Sequence, residues 1–218
     1  DEGFLDLSAL EARLRAMNQE GRDGRSGTGS SARIRLVTVT GASNVLGVCN
    51  DLAGISRVVH QYGARLLVDA AQLVAHRKVD MAAWGIDYLA FSAHKAYAPF
   101  GTGVLAVRKG LLHFSPAELE RIGSSGEENI GGIAALGKAL VLLQRIGLDV
   151  IEQEERALTE RALRGLMQIP GLTVFGMTPD SPRFSRKGGV IVFDLKNRMA
   201  GRVARELALP VIAIGGIG

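Results

Sequence analysis

Hydrophobic positions in this chain alternate between two periods. Leu10, Leu14 and Met17 recur at helical spacing behind Ser8-Ala9-Leu10-Glu11, which reads as a capping box opening a helix. Ile55, Val58, Val59 and Tyr62 repeat the helical spacing behind Asp51, with Gly63 as the stop. Between and beyond these segments lie short, nearly continuous apolar runs at residues 34–40, 65–68, 88–91 and 103–107, each expected to form a strand. Met81 to Trp84 reads as a short helical turn. Apolar strands separated by helices predict a mostly parallel sheet covered on both faces, an α/β fold. Residues 96–102 are too short a link for a parallel crossover, so the fourth strand is expected to run antiparallel.

The later third changes character. Ser115-Pro116-Ala117-Glu118 is a second capping box, with proline at the first helical position. Helical patterns over 132–145 and 149–169 follow, then strands at 172–175 and 190–195 and a helix at 199–208. This predicts residues 1–132 as part of a large domain. Residues 133–218 are then linking helices and part of a smaller α+β domain. The 21–31 stretch is rich in glycine, serine and charge and reads as an exposed loop. The ends suggest a piece of a longer protein.

Composition narrows the function. No run of 18 apolar residues exists, so no membrane-spanning helix is expected. A single cysteine, Cys49, excludes an intrachain disulfide framework and a zinc site of paired cysteines, and no metal site is expected. That usage, with no basic and apolar leader pattern, points to the cytoplasm. Net charge is +4, but the arginines are scattered, so the basic excess reads as solvated surface and no nucleic-acid partner is expected. Glycine, at 28 of 218 residues, fits many tight turns between regular elements.

Two glycine patterns invite a nucleotide-binding reading, and both fail. Gly27-Thr28-Gly29-Ser30-Ser31-Ala32 precedes a strand instead of following one. The segment from Val39 to Gly47 follows a strand and resembles the opening of short-chain dehydrogenases. That chemistry needs a tyrosine with lysine four residues on, and Tyr62, Tyr88 and Tyr97 are followed there by Leu66, Ser92 and Gly101.

A stronger constellation sits at the ends of two apolar strands. Leu66-Leu67-Val68-Asp69-Ala70-Ala71-Gln72 closes one strand on a carboxylate, and Phe91-Ser92-Ala93-His94-Lys95 closes another. Ligands of open α/β sheets bind at the carboxyl ends of strands. Of six lysines, Lys95 alone lies among apolar and aromatic residues beside His94 and Ser92; Lys187 and Lys196 read as loop lysines. A partly desolvated amine is a competent nucleophile. Cys49 reads as a small packed residue.

These residues carry a resemblance. Asp69-Ala70-Ala71-Gln72, Ser92-Ala93-His94-Lys95, Gly101-Thr102-Gly103-Val104 and Ser43-Asn44-x-x-Gly47 resemble the class V aminotransferase family over about residues 4–208. These are fold-type I pyridoxal-phosphate enzymes, and cysteine desulfurases and selenocysteine lyases are the nearest members. The resemblance implies that Lys95 joins the cofactor, pyridoxal 5′-phosphate, as a Schiff base, and that Asp69 keeps the ring nitrogen protonated. It implies that Gln72 and Asn44 bond the phenolic-oxygen side, and that Ser92 and His94 hold the phosphate. The expected activity is cysteine-desulfurase-like chemistry on a small amino acid in a homodimer. Transamination or epimerisation, and a non-catalytic scaffold retaining the fold, are the alternatives. The chain departs from the family at Gly126-Glu127-Glu128-Asn129, where a Gly-Thr pair is usual.

Overall fold

A computed structural model of the chain describes residues 2–19, 33–124, 128–196 and 198–207. The 21–31 loop and the Gly27–Ala32 string fall outside the described residues, as do Gly126 and Glu127.

Helix α1 spans Leu7–Asn18. It begins two residues earlier than a Ser8 cap implies, because Asp6 is the stronger cap: its carboxylate accepts from the backbone N–H of Ser8 (2.8 Å) and Ala9 (3.1 Å). Strands β1 (Leu36–Thr40), β2 (Arg65–Asp69), β3 (Tyr88–Ser92) and β4 (Gly103–Val107) form one sheet in the order β1-β2-β3-β4. The first three are parallel, and β4 returns antiparallel beside β3, as the short link requires. Helix α2 (Leu52–Gln61) supplies the crossover between β1 and β2. It stops where Gly63 takes a φ of +69°, a conformation that costs glycine little. Residues 81–85 form a turn without becoming a helix.

Leu14, Leu52, Ile55, Val59, Leu66, Val68, Ile86 and Leu89 are the buried centre between sheet and helices. This core lies under the middle of the sheet and leaves the strand ends free for other chemistry.

Helix α3 spans Pro116–Gly123 and carries the predicted capping box in full. Helices α4 (Ile130–Ile146) and α5 (Leu148–Leu166) follow, then the antiparallel pair β5 (Leu172–Phe175) and β6 (Val192–Leu195), and α6 (Ala200–Leu207). The second sheet is thus separate from the first. Among the described residues no helix is long and apolar enough to cross a membrane.

Candidate active site

Lys95 stands on a single 3-10 turn, Ala93–Ala96, that follows β3 directly. In such a turn residues three apart share a face. Here Ala93 and Ala96 are both fully buried, packed against Leu136 and Ala139 of α4. His94 and Lys95 therefore lie off the packed face, exposed and half-buried respectively. The backbone N–H of Ala98 donates to the Ala93 carbonyl (3.1 Å), and that of Ala93 to the Thr102 carbonyl (2.9 Å). Tyr97 ends the turn at φ +63°, the one non-glycine residue with positive φ among those described. An aromatic side chain adopts that conformation at a cost, so the surrounding contacts must impose it.

Asn129 fastens the far side. Its Oδ1 accepts from the Gly132 N–H (2.9 Å) at the start of α4, while Nδ2 donates to Thr102 Oγ1 (3.2 Å). The helix that supports the alanine face is thereby tied to the loop that returns from Lys95. The His94 ring stacks on Phe100 with centroids 4.5 Å apart.

Asp69 is the last residue of β2 and registers with Thr40 of β1 and Ala90 of β3. Its side chain is exposed, and Oδ1 accepts from the Ala71 N–H (2.9 Å). Gln72 follows in the 71–76 turn, half-buried. The Gly41 N–H donates to the Asp69 carbonyl (2.7 Å), which brings the segment after β1 alongside. Asn44 lies in the next turn, at 44–46, and is exposed.

Three neighbouring strand ends thus present Asn44; Asp69 with Gln72; and Ser92, His94 and Lys95. Among the described residues the side chains of Asn44, Gln72, Ser92 and Lys95 form no hydrogen bond or ion pair with the protein. A carboxylate, two amides, a hydroxyl, an imidazole and an amine with spare bonding capacity suit a polar ligand carrying a basic nitrogen, anionic oxygens and a carbonyl carbon. A neighbouring cavity of about 220 Å³ is walled by Ser43, Gly47, Gln72, His76, Arg77 and residues 188–190. Of the six predicted site residues only Gln72 reaches it.

Sequence reasoning misses the charged residues His76, Arg77 and Glu155 on that cavity and a buried lysine behind it. Lys187 lies in a loop, as expected, yet it is 2% exposed, the largest fully buried side chain described. Nothing in Ser185-Arg186-Lys187-Gly188-Gly189 signals that burial. Arg77, also buried, pairs with Glu155 of α5, and His76 Nδ1 lies 2.9 Å from Glu155 Oε1. Burial pushes the Glu155 carboxyl up, but the His76 hydrogen bond and the Arg77 charge outweigh it and hold it below the usual range. Cys49 is partly buried, and burial pushes its thiol up, which favours the inert packed form expected of it. Among the described residues no cluster could hold a metal ion.

Comparison with known proteins gives the family. The family model for class-V aminotransferases matches residues 26–216. The chain is 38% identical over 214 residues to a cysteine desulfurase of Enterobacter sp. (strain 638), covering 89% of this chain and 47% of that protein. It is 35% identical over 234 residues to a cysteine desulfurase of Dickeya dadantii (strain 3937), covering 98% and 51%. The apo structure of a cysteine desulfurase from Thermococcus onnurineus NA1 superposes with a TM-score of 0.75 at 28% identity, covering 95% of this chain and 51% of that one. The chain spans about half the length of these relatives. Its strand-end motifs, its mixed, mostly parallel fold-type I sheet and the extent of the match together make it a member of the class V aminotransferase family.

Proposed function

We propose that this chain is the core of a pyridoxal-phosphate enzyme that acts on an amino acid in the manner of a cysteine desulfurase. One observation carries the reading: the Lys95 amine, without a protein partner among the described residues, stands on a turn anchored by its buried alanine face, one strand away from the exposed carboxylate of Asp69. The donor set fits the cofactor. An acceptor is available for a ring N–H, amides for an oxygen, a hydroxyl and an imidazole for a phosphate, and an amine for an aldehyde carbon.

When bound, the cofactor supplies an electron-poor ring that draws off electron density as a bond at the amino acid's α-carbon breaks. The residues of the chain make that possible. Lys95 is the point of covalent attachment. Asp69, kept in place by the Ala71 N–H, holds a proton on the ring nitrogen. Gln72 and Asn44 donate to the phenolic oxygen, and Ser92 and His94 bind the phosphate, with Phe100 fixing the plane of the His94 ring. The named relatives support sulfur removal over transamination or epimerisation. The large-domain assignment of residues 1–132 rests on the first sheet, and that of 133–218 on the second. A homodimer is supported by the openness of the site: Tyr97 and Phe100 beside Lys95 are 72% and 80% exposed. The single cysteine supports a cytoplasmic setting.

The test uses the whole protein. Wild type loaded with pyridoxal phosphate should show a visible absorption band and release sulfide from cysteine under a reductant. Lys95→Ala should lose both. A Lys95→Ala protein that kept band and turnover would place the attachment elsewhere and end the assignment. Sedimentation at micromolar concentration should give a dimer.

A further inference from the structure

Lys187 has no part in the chemistry above, and its surroundings are unusual. It lies between the 3-10 turn Phe184–Arg186 and strand β6, with its amine inside the protein. Nζ donates to the carbonyls of Leu46 (3.1 Å), Gly188 (3.1 Å) and Val190. An ammonium has three N–H donors and no acceptor, so three carbonyls use it completely. Burying such a charge is costly unless every donor is engaged.

The contact with Leu46 is the informative one, because it spans 141 positions of sequence. Leu46 belongs to the 43–47 turn that carries Asn44. That turn is braced from within, where Ser43 Oγ accepts from the N–H of Val45 (3.2 Å) and Leu46 (3.0 Å). From outside it is held by the Gly188 N–H on the Gly47 carbonyl (2.6 Å) and by a bridge between Val48 and Lys187. Gly47 has a φ of +65°, and a Cβ there would lie 2.7 Å from the Val190 carbonyl and 2.8 Å from Nζ. The turn and the amine are therefore fitted to each other at a point where no side chain has room. Arg77 donates to the Lys187 carbonyl (3.0 Å) and is held by Glu155, so the 185–190 segment is itself anchored to the turn that bears Gln72.

We propose that Lys187 is a positioning residue whose ammonium clamps the 43–47 turn against residues 188–190 and so sets where the Asn44 amide stands in the cofactor site. The inference rests on the reading of Asn44 as a cofactor residue. It assigns a buried lysine, remote in sequence, to the shape of the site and leaves the bond-making to Lys95. A neutral side chain of similar length would leave three inward carbonyls without a donor, and the turn would move to find water.

The experiment isolates non-covalent binding. The probe is 4′-deoxypyridoxine 5′-phosphate, which has the ring, phenolic oxygen and phosphate but no aldehyde for Lys95 to attack. Its affinity for the whole protein is measured by calorimetry in wild type, Asn44→Ala, Lys187→Met and the double variant. Loss of one hydrogen bond predicts a weakening of about tenfold for each single variant. If Lys187 acts through the Asn44 turn, the double variant should also be about tenfold weaker, not about a hundredfold. An affinity unchanged by Lys187→Met, with Asn44→Ala weakened, overturns the clamp and leaves the reading of Asn44 standing. Multiplying effects overturn it as well. An affinity unchanged by Asn44→Ala removes Asn44 from the site and the clamp's role with it. Should Lys187→Met fail to fold by circular dichroism, Lys187→Gln, with two N–H donors for three carbonyls, carries the same cycle.

Discussion

At the amino-terminal ends of β2 and β3, Asp87 is completely buried and has three partners. It accepts from the Leu66 N–H (2.9 Å) and His60 Nε2 (2.7 Å) and pairs with Arg108 (2.9 Å). Beyond His60, Ser56 Oγ lies 3.5 Å from Nδ1 and donates to the Gly85 carbonyl at 2.8 Å. At the carboxyl ends of the same strands, Asp69 is exposed with one bond from its own turn, and Lys95 has no partner among the described residues. Residue types alone would favour the amino-terminal end, because serine, histidine and aspartate in a row are the parts of a hydrolase triad. Geometry decides otherwise: the Ser56 proton is committed to a carbonyl and its oxygen is sealed from solvent. What supports the carboxyl end as the proposed site is bonding capacity left unspent at strand termini, where a ligand can use it.

The largest expected effect tests the open end. Asp69→Asn in the whole protein should cut turnover of cysteine about a thousandfold, roughly 4 kcal/mol in the barrier. Its melting temperature should stay within a few degrees, since an exposed side chain with one local bond contributes roughly 0.5 kcal/mol or less. A variant that melted far earlier yet kept its turnover would invert the comparison.

Asp87→Ala is the counterpart at the closed end. It removes the acceptor of a backbone N–H and an imidazole and the ion-pair partner of a guanidinium, and should lower unfolding free energy by about 3–5 kcal/mol in a urea titration. Turnover per folded molecule should be unchanged. A selective loss of catalysis with normal stability would mean that the closed end takes part in the reaction.

Lys187 sits between these extremes, a buried charge near the proposed site. Burial lowers the pKa of its ammonium to about 8 from the ordinary 10.5, with the nearby Cys49 and Glu155 acting against the shift. The unfolded chain then binds the proton more tightly than the folded one between those values, so stability rises with pH from about 8 to 10.5. Below pH 8 the whole penalty is present, and a shift from 10.5 to about 8 corresponds to roughly 3 kcal/mol. Wild type should therefore gain stability relative to Lys187→Met as pH climbs through that window. The Cys49 thiol, raised by burial, works in the opposite sense. A flat difference would show that the folded amine holds its proton as tightly as the unfolded one, and the charge would then carry no burial penalty.

What the sequence discloses follows the range of the interactions. Strand β4 is readable as antiparallel because seven linking residues cannot make a crossover. Asp69 and Lys95 are readable because an apolar run ends on each motif. The start of α1 reads two residues late, since Ser8 with Glu11 offers a complete box while Asp6 offers a carboxylate that reaches two N–H groups. Lys187 is unreadable. Its acceptor Leu46 and its neighbour Glu155 approach only through the tertiary fold, and no local period encodes that meeting. The Ser56–His60–Asp87 row is unreadable for the same reason: His60 follows Ser56 by four positions, but Asp87 reaches them only because β3 lies beside β2.

The smallest expected effect sharpens the same contrast. Ser56→Ala deletes a hydroxyl whose residue is 3% exposed, and with it the hydrogen bond to the Gly85 carbonyl and the long contact with His60 Nδ1. Gly85 has a φ of +68°, and a Cβ there would lie 2.6 Å from Ser56 Oγ, so the hydroxyl fills the space that the glycine leaves. Removing it leaves a buried carbonyl without its donor and a void smaller than a water molecule. The cost should be about 1 kcal/mol, a modest shift of the urea midpoint with an unchanged slope. Hydrolysis of an activated ester such as p-nitrophenyl acetate should be the same in both proteins, because a serine whose proton is held by a carbonyl cannot pass it to His60. If Ser56→Ala abolished an esterase activity present in wild type, the closed end of the sheet would be a second active site, and the separation of stability from chemistry between the two ends would fail.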